Sequence, residues 1–177
     1  MIAFVRFVAC LVHALFRSKL RLSDESRVSF LTLPNDIDAN LHMNNGRYLT
    51  FMDLGRLDLT MRCGLLRQSL RVGQFPVVGS TMVRFVRSVA HLERFEVTSR
   101  ILGWDEKWFY FEHRGEVAGR LCAIAWVKGL FRGKGGAIAP TEIVALAGWS
   151  ESSPELPDAL RKWVESEREA FTPKISP

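Results

Sequence analysis

The sequence lacks most of the features that mark specialised classes of protein. It has only three cysteines, Cys10, Cys63 and Cys122, and no Cys-x-x-Cys pair. An odd number of cysteines at this spacing suits neither a zinc site nor a disulfide framework. The pattern indicates reduced structural thiols in a reducing compartment, so we expect a cytoplasmic protein.

Charge of one sign is not concentrated anywhere in the chain. Lysine and arginine exceed aspartate and glutamate by 24 to 19, which gives a net charge of +5. Because there is no basic run, we expect no nucleic-acid partner. The mild excess is typical of a soluble surface, and it also suits an anionic partner such as a phosphate-bearing carrier or a membrane surface.

Long uncharged hydrophobic runs are also missing. The chain is 47% apolar and 24% charged, which is typical of one soluble globular domain. Residues 1–22 form the most apolar segment, but Arg6, Arg17 and Lys19 interrupt it, whereas a membrane span needs about 20 apolar residues. No small-residue cleavage site follows, so we do not expect a signal peptide.

The segment 1–22 predicts an amphipathic helix with one narrow polar face. That face carries Arg6, Cys10, His13 and Arg17, spaced by four, three and four residues. Two hypotheses follow. The helix docks on its own domain or on a second subunit, or it makes a peripheral membrane contact through residues 1–20, with its apolar side down and its basic residues at the headgroups.

The rest of the chain predicts a main domain over residues 23–136 and a C-terminal helical extension over 137–177. A strand over 27–33 precedes a polar loop and a long helix from about Asn45 to Leu66. Alternating segments then predict strands at 77–88, 92–103, 107–114 and 120–131. Short turns between these strands favour antiparallel pairing. The fold class is therefore α+β, with an antiparallel sheet of about five strands curved round one long central helix.

The long helix is apolar over most of its circumference, which predicts that it is enclosed on several sides. Gly55 lies in its middle and costs about 1 kcal/mol relative to alanine, so we expect another backbone to approach closely there. Two peripheral helices are predicted at 140–149 and 154–171.

The residues with chemical potential lie directly before the long helix. The thirteen residues from Pro34 to Gly46 include two aspartates, four asparagines and one histidine. A helix start has unpaired N–H groups and a partial positive charge, which can hold the oxyanion of an attacked carbonyl. A nearby carboxylate can activate water or attack directly, and a histidine can orient or share the proton. These parts suit acyl transfer to water.

Local roles explain some of the same residues without catalysis. Asn44 or Asn45 can cap the helix, Asp36 can make hydrogen bonds within the loop, and His42 can be an ordinary loop histidine.

The segment also resembles known family signatures. The matching residues are Asp38-x-Asn40-x-His42-x-Asn44-Asn45-x-x-Tyr48. This run resembles the Asp-x-Asn-x-His-Val-Asn-Asn-x-x-Tyr signature of hotdog-fold acyl-acyl-carrier-protein thioesterases. It is also similar to the Asp-x-Asp-x-x-Gly-His-Val-Asn-Asn pattern of the 4-hydroxybenzoyl-CoA thioesterase-like group, whose two aspartates match Asp36 and Asp38. Residues 44–56 resemble a bacterial subgroup related to thioesterase superfamily member six.

The resemblance implies a hotdog fold over about residues 27–131 and a role for each matched residue. Asp38 is implied as the catalytic carboxylate, with Asn40 and His42 in its polar network. The amides near Asn45 and Gly46 are implied to polarise the thioester carbonyl. Further oxyanion or substrate-binding candidates are Asn44, Tyr48, Ser80 and Thr81, with Phe51 and Met52 as possible acyl-pocket residues beside Tyr48. Two departures stand out: Leu41 replaces the glycine of the second pattern, and the extra acidic or cysteine residue of the first has no match.

The leading hypothesis is hydrolysis of an acyl thioester, carried by CoA or acyl carrier protein, without a metal or another cofactor. Since hotdog domains build their sites across a dimer interface, the resemblance implies a homodimer or a larger oligomer such as a tetramer. An alternative is a non-catalytic acyl-CoA-binding, lipid-binding or membrane-associated hotdog module. A weaker one is a hotdog dehydratase that acts on hydroxyacyl or enoyl thioesters.

Overall fold

A computed structural model describes residues 2–171 of the chain, with side chains from residue 4 onward. The helices are α1 (Ile2–Phe16), α2 (Asn45–Arg62), α3 (Leu65–Arg71), α4 (Pro140–Leu146) and α5 (Asp158–Phe171), with one 3₁₀ turn at Pro34–Asp36. The strands are β1 (Ser26–Leu31), β2 (Phe75–Phe85), β3 (Arg94–Trp104), β4 (Phe109–Val117), β5 (Arg120–Gly133) and β6 (Gly136–Ile138). Of the predicted segments, residue 1 and residues 172–177 lie outside the described part.

The strands form one antiparallel sheet in the order β1-β3-β4-β5-β2, and β6 adds to the end of β5. The tight turn between β4 and β5 uses Ala118 and Gly119, which both have positive φ, 49° and 73°; this is the geometry that suits a two-residue hairpin. The sheet curls round α2, which confirms the predicted α+β fold with a hotdog arrangement. The last predicted strand ended at residue 131, so the sequence prediction missed the three-residue β6.

Helix α2 forms the centre of the core. Its inward residues Phe51, Met52 and Leu59 are 0–1% exposed, as the apolar stripe in the sequence predicted. The predicted end at Leu66 was wrong. The helix stops at Arg62 because Gly64 adopts a left-handed conformation with φ 88°, which interrupts the helical hydrogen bonds before α3 begins.

The reason for a glycine at position 55 also differs from the expectation. The three nearest atoms belong to side chains rather than to another backbone. A Cβ added at Gly55 would lie 2.5 Å from Ser99 Oγ and 2.8 Å from Val97 Cγ1. Side chains of β3 therefore occupy the space, and only glycine lets α2 sit this close to the sheet.

Helix α1 packs on the domain through its polar face. The Arg6 guanidinium donates two hydrogen bonds of 2.8 Å to Asp36, and Arg17 donates to Asp58 at 3.2 Å. Both carboxylates are fully buried. The helix therefore docks on its own domain, as the first hypothesis predicted, and Arg6 and Arg17 face the protein rather than headgroups. A membrane contact through the opposite side of α1 stays a prediction. No helix within residues 2–171 is long and apolar enough to cross a membrane.

Strand β2 is an open edge of the sheet. It pairs with β5 on one side, and no strand among the described residues pairs with its other side. Nine of its eleven residues are exposed and the other two are half-buried. Its exposed large apolar residues are Phe75, Val77, Val78, Met82 and Phe85. An exposed apolar edge of this length is a template for another strand.

Helices α4 and α5 cover the sheet and its end. The Trp163 ring of α5 lies 6.4 Å from that of Trp126 on β5, and Glu167 forms a 2.5 Å ion pair with Lys128. The predicted start at Pro154 was four residues early because α5 begins at Asp158.

Candidate active site

The loop before α2 is a tight hairpin. Ile37 and Met43 form a bridge, the Asp38 N–H donates to the His42 carbonyl at 2.9 Å, and the Leu41 N–H donates to the Asp38 carbonyl at 3.0 Å. Leu41 has φ 61°, a left-handed conformation that glycine adopts without strain. The departure at Leu41 therefore places a leucine at a position whose backbone conformation favours glycine.

Asp36 anchors this hairpin from the protein interior. Its side chain is fully buried and accepts from Arg6 twice at 2.8 Å and from the Leu33 N–H at 2.9 Å. Arg47 Nε lies 3.5 Å away, and the Asp36 carbonyl accepts from the Asn44 N–H at 2.8 Å. The side chain therefore ties α1, the loop and the start of α2 together.

Asp36 is ionised despite its burial. Burial pushes the pKa of its carboxyl upward, but the hydrogen bonds from Arg6 and Leu33 and the charges of Arg6 and Arg47 outweigh that effect. The net result is a pKa below its ordinary value. Asp36 is thus an enclosed structural anion.

Asp38 lies at an open polar cleft of about 310 Å³. The cleft is lined by Asp38, Asn40, His42, Met43, Asn45 and Tyr48, and by residues 85–88 at the end of β2. Asp38 Oδ1 accepts from the Asn40 N–H at 2.9 Å, which fixes the carboxylate and leaves Oδ2 without a hydrogen-bond partner among residues 2–171. The structure therefore brings the three predicted catalytic residues to one cleft.

The start of α2 contributes one unengaged amide to this cleft. Asn44 caps the helix, and its Oδ1 accepts from the Gly46 N–H at 2.9 Å. The Gly46 amide is therefore occupied. Within the described chain, the Asn45 N–H donates to no acceptor. Of the two predicted oxyanion donors, the Asn45 N–H is therefore the one that remains available.

Tyr48 closes the apolar side of the cleft. Its hydroxyl donates to the Arg87 carbonyl at 3.2 Å, and its ring meets Phe85 edge-on at 5.2 Å. Burial raises the pKa of Tyr48 to about 12, so the phenol stays neutral near pH 7 and serves as a wall. Phe51 and Met52, the other two residues considered for an acyl pocket, lie in the core behind it, at 0% and 1% exposure.

Ser80 and Thr81 lie in the middle of β2, away from this cleft. The Ser80 Oγ is buried and has no hydrogen-bond partner within the described part of the chain. A role for either side chain in substrate binding stays a prediction.

A second, apolar cavity of about 300 Å³ lies between α2 and the strands β2, β4 and β5. Leu54, Leu57, Val77, Phe111 and Leu130 are among its walls, together with Phe7 of α1. Its residues come from six separate elements, so no local motif in the sequence signalled it.

Beside this cavity lies a buried row of hydrogen-bonded polar side chains, which the sequence also did not predict. His113 is 0% exposed; Arg56 lies 3.2 Å from its Nε2 and Ser99 Oγ 2.8 Å from its Nδ1. Burial and the Arg56 charge hold the pKa of His113 well below its ordinary value. Neutral His113 therefore accepts at Nε2 and donates from Nδ1 to Ser99. Alternation in β4 places His113 inward, but its partners are 14 and 57 residues away.

Comparison with known proteins identifies the family. The profile of the thioesterase-like superfamily matches residues 32–164. The chain belongs to this superfamily. Protein THEM6 of Danio rerio is 38% identical over 112 residues, 63% of this chain and 55% of that protein. The chain spans about half the length of the THEM6 proteins it matches. The probable thioesterase YBR096W of Saccharomyces cerevisiae is 24% identical over 165 residues, 82% of this chain and 71% of that protein.

Solved thioesterase structures share the fold. A 4-hydroxybenzoyl CoA thioesterase mutant, complexed with 4-hydroxybenzoyl CoA, superimposes with a TM-score of 0.62 at 16% identity, covering 70% of this chain and 98% of that one. The YbaW probable thioesterase of Escherichia coli gives a TM-score of 0.60 at 18% identity, covering 69% and 98%. At these identities the likeness shows the hotdog fold. Membership of the thioesterase-like superfamily and this fold together support thioester hydrolysis in general.

Proposed function

We propose that this protein hydrolyses acyl thioesters of CoA or of acyl carrier protein at the cleft between Asp38 and the start of α2. One observation carries the proposal: the cleft holds a partly exposed carboxylate together with the unengaged Asn45 amide. Attack on a carbonyl requires a group that attacks or activates water and a donor that stabilises the negative charge developing on the carbonyl oxygen, and these two groups match those roles.

The chemistry follows from these two groups. The thioester oxygen accepts from the Asn45 N–H at the positive end of an 18-residue helix, which stabilises the charge that develops on it. Asp38 Oδ2 either takes a proton from water as the water attacks, or attacks the carbonyl itself. On the water route the tetrahedral intermediate collapses, the C–S bond breaks, and the leaving thiolate takes up the proton from Asp38. Direct attack forms an acyl–aspartyl anhydride and releases the thiolate; water then cleaves the anhydride and regenerates the carboxylate. His42 at the cleft rim orients the water or carries the proton.

A homodimer completes the site. The free edge of β2 supplies unpaired backbone groups and apolar side chains for a second copy of itself. Antiparallel pairing about the middle of β2, near Ser80, sets the Phe85 end of one copy against the Phe75 end of the other. The polar cleft lies beside Phe85, and the apolar cavity lies beside Pro76–Val78. The acyl chain of a thioester bound in one cleft would therefore extend toward the cavity of the second copy.

The charge at the cleft suits the phosphates of either carrier. Arg87 is one of its lining residues, and the chain carries a net charge of +5. Phosphate oxygens on CoA or on a phosphopantetheine arm are matched by such cations.

The test is turnover of a panel of acyl-CoA and acyl-carrier-protein substrates by wild-type protein and by Asp38→Asn. We expect the substitution to lower kcat by about a hundredfold or more while leaving KM largely unchanged, since it removes the reacting group and keeps the shape of the cleft. Asp158→Asn on α5, which is exposed, is the matched control and should retain full activity. Tight acyl-CoA binding without turnover above background by the wild-type protein would favour the non-catalytic alternative, and unchanged turnover by Asp38→Asn would remove Asp38 from its proposed role.

A further inference from the structure

Helix α1 turns polar side chains toward the protein and apolar side chains outward, the reverse of an ordinary surface helix. Arg6, Cys10 and Arg17 point into the protein, where the two arginines pair with buried carboxylates. The outward strip consists of seven apolar residues, and the exposed His13 lies at its margin; the seven are Phe4, Val5, Val8, Ala9, Val12, Leu15 and Phe16. Phe4 is 70% exposed and Phe16 is 85% exposed. A contiguous apolar strip of this kind on a folded protein marks a surface that something covers.

The chemistry of the strip shows what can cover it. The backbone groups of an α-helix are hydrogen-bonded within the helix, and none of the seven outward side chains has a polar atom. A hydrocarbon surface therefore fits it without leaving any donor or acceptor unpaired. The edge of β2 differs, because its free N–H and C=O groups require another strand.

The size of the strip argues against a second copy of this chain as its cover. The helix has fifteen residues, so the strip is about 22 Å long and only one helix wide. A stable protein interface covers roughly 800 Å² on each partner. One convex helix face of this size is too small for that, whereas it is ample for shallow insertion into a bilayer surface.

The charges around the strip identify the surface further. No aspartate or glutamate occurs before Asp24. Arg6 and Arg17 are already paired, with Asp36 and Asp58 respectively. Lys19 and Arg21 follow the C-terminal end of α1 and are exposed. Two exposed cations at the end of an apolar strip match anionic lipid headgroups.

We infer that α1 docks the protein on an anionic membrane surface, with its outward strip among the acyl chains and Lys19 and Arg21 at the headgroups. The helix lies flat on the bilayer and keeps its ion pairs to Asp36 and Asp58. The contact depends on no step of the proposed catalysis, so binding alone tests it.

The experiment is co-sedimentation of the full chain with vesicles of phosphatidylcholine, prepared with and without phosphatidylserine. Wild-type protein should bind the serine-containing vesicles more tightly, and added salt should weaken that binding. Phe16→Gln should lower the partition coefficient about tenfold or more, because it removes one buried aromatic side chain from the contact. Phe171→Gln is the matched control: Phe171 is 81% exposed on α5, and its replacement should change nothing.

A double variant tests the headgroup contact. Lys19→Gln with Arg21→Gln should lower binding to serine-containing vesicles by roughly tenfold or more and leave binding to pure phosphatidylcholine unchanged. Arg132→Gln with Lys134→Gln, two exposed cations at the far end of β5, should have no effect. All four positions are exposed and none is in the hydrophobic core, so these variants retain the fold.

Three outcomes would overturn the inference. The first is wild-type protein that sediments with neither vesicle. The second is equal loss of binding in Phe16→Gln and Phe171→Gln. The third is a sedimentation-velocity mass that falls in Phe16→Gln without vesicles, which would show that a second copy of the chain covers the strip instead.

Discussion

Removing the Arg6 side chain tests the contact that fastens α1 to the candidate active site. In Arg6→Gln, Asp36 loses two hydrogen bonds of 2.8 Å and its nearest positive charge. Leaving a buried charge without its partner costs about 3–5 kcal/mol. Arg47 at 3.5 Å and the Leu33 N–H remain, so we expect a loss near the lower limit, about 3 kcal/mol. For a domain of this size that corresponds to a melting temperature lower by about 6–12 °C.

The pH dependence of the loss identifies its cause. The pKa of Asp36 is lowered in the folded protein, so the ion pair stabilises the fold fully above the unfolded pKa of about 3.9. That stabilisation disappears as the pH falls through the lower, folded pKa. The difference in unfolding free energy between wild type and Arg6→Gln should therefore stay constant from about pH 5 to 8 and shrink below about pH 4.

The assay is guanidinium chloride unfolding, followed by circular dichroism at several pH values. Arg27→Gln is the control, because Arg27 is 64% exposed and its contacts with Glu25 and Glu96 are 3.7 Å and 4.0 Å long. An exposed pair contributes at most about 1 kcal/mol. If Arg6→Gln unfolds at the same denaturant concentration as Arg27→Gln, or if the difference persists unchanged in acid, the Asp36 ion pair does not hold α1 in place.

Three further predictions concern the interior and the loop. Gly55→Ala should destabilise the protein by about 2 kcal/mol instead of stabilising the helix, because its Cβ would meet Ser99 and Val97 at 2.5 Å and 2.8 Å; a more stable variant in denaturant unfolding would contradict this. Leu41→Gly should change stability by less than about 1 kcal/mol, whereas Leu41→Val should lose more than that, since a β-branched residue resists φ 61°; equal melting temperatures would refute the difference. Burial, with a neighbouring guanidinium, holds the pKa of His113 low, so stability should fall as the pH drops below about 6.5, by up to about 1.4 kcal/mol per unit; the same slope in His113→Gln would exclude His113 as its source.

Much of the fold was predictable because its signals are local. Alternation marked β3, β4 and β5, and the apolar stripe at helical spacing located α2. Asn44 was one of the two predicted caps, and it is the residue that makes the cap. Each of these features depends on neighbours a few residues away, which sequence periodicity reports directly.

The features that escaped prediction arise from tertiary contacts. The partners of Arg6 and Arg17 are 30 and 41 residues away, and an amphipathic pattern does not say which of its faces turns inward. The break at Gly64 and the side-chain contacts of Gly55 likewise depend on packing rather than on helix propensity.

The candidate site was predictable in part for the same reason. Asp38, Asn40, His42, Asn45 and Tyr48 come from one short segment, so a single motif located the side of the cleft that they form. The opposite side comes from residues 85–88, whose place beside the loop depends on the register of β2 against β5. Whether the Asn45 or the Gly46 amide is unengaged could be learned only from the structure, because the Asn44 side chain accepts its hydrogen bond from the Gly46 N–H.

The three cysteines can report the order in which parts of the protein unfold. All are buried and unbonded to one another, and burial raises the pKa of the Cys10 thiol to about 12 and that of Cys63 to about 11. Alkylating reagents attack the thiolate, so they meet each sulfur only after its surroundings open. Cys10 lies on α1, Cys63 at the end of α2 and Cys122 on β5. The order in which a reagent modifies them would therefore give the order in which α1 detaches, the junction after α2 opens and the sheet unfolds. No added label is needed.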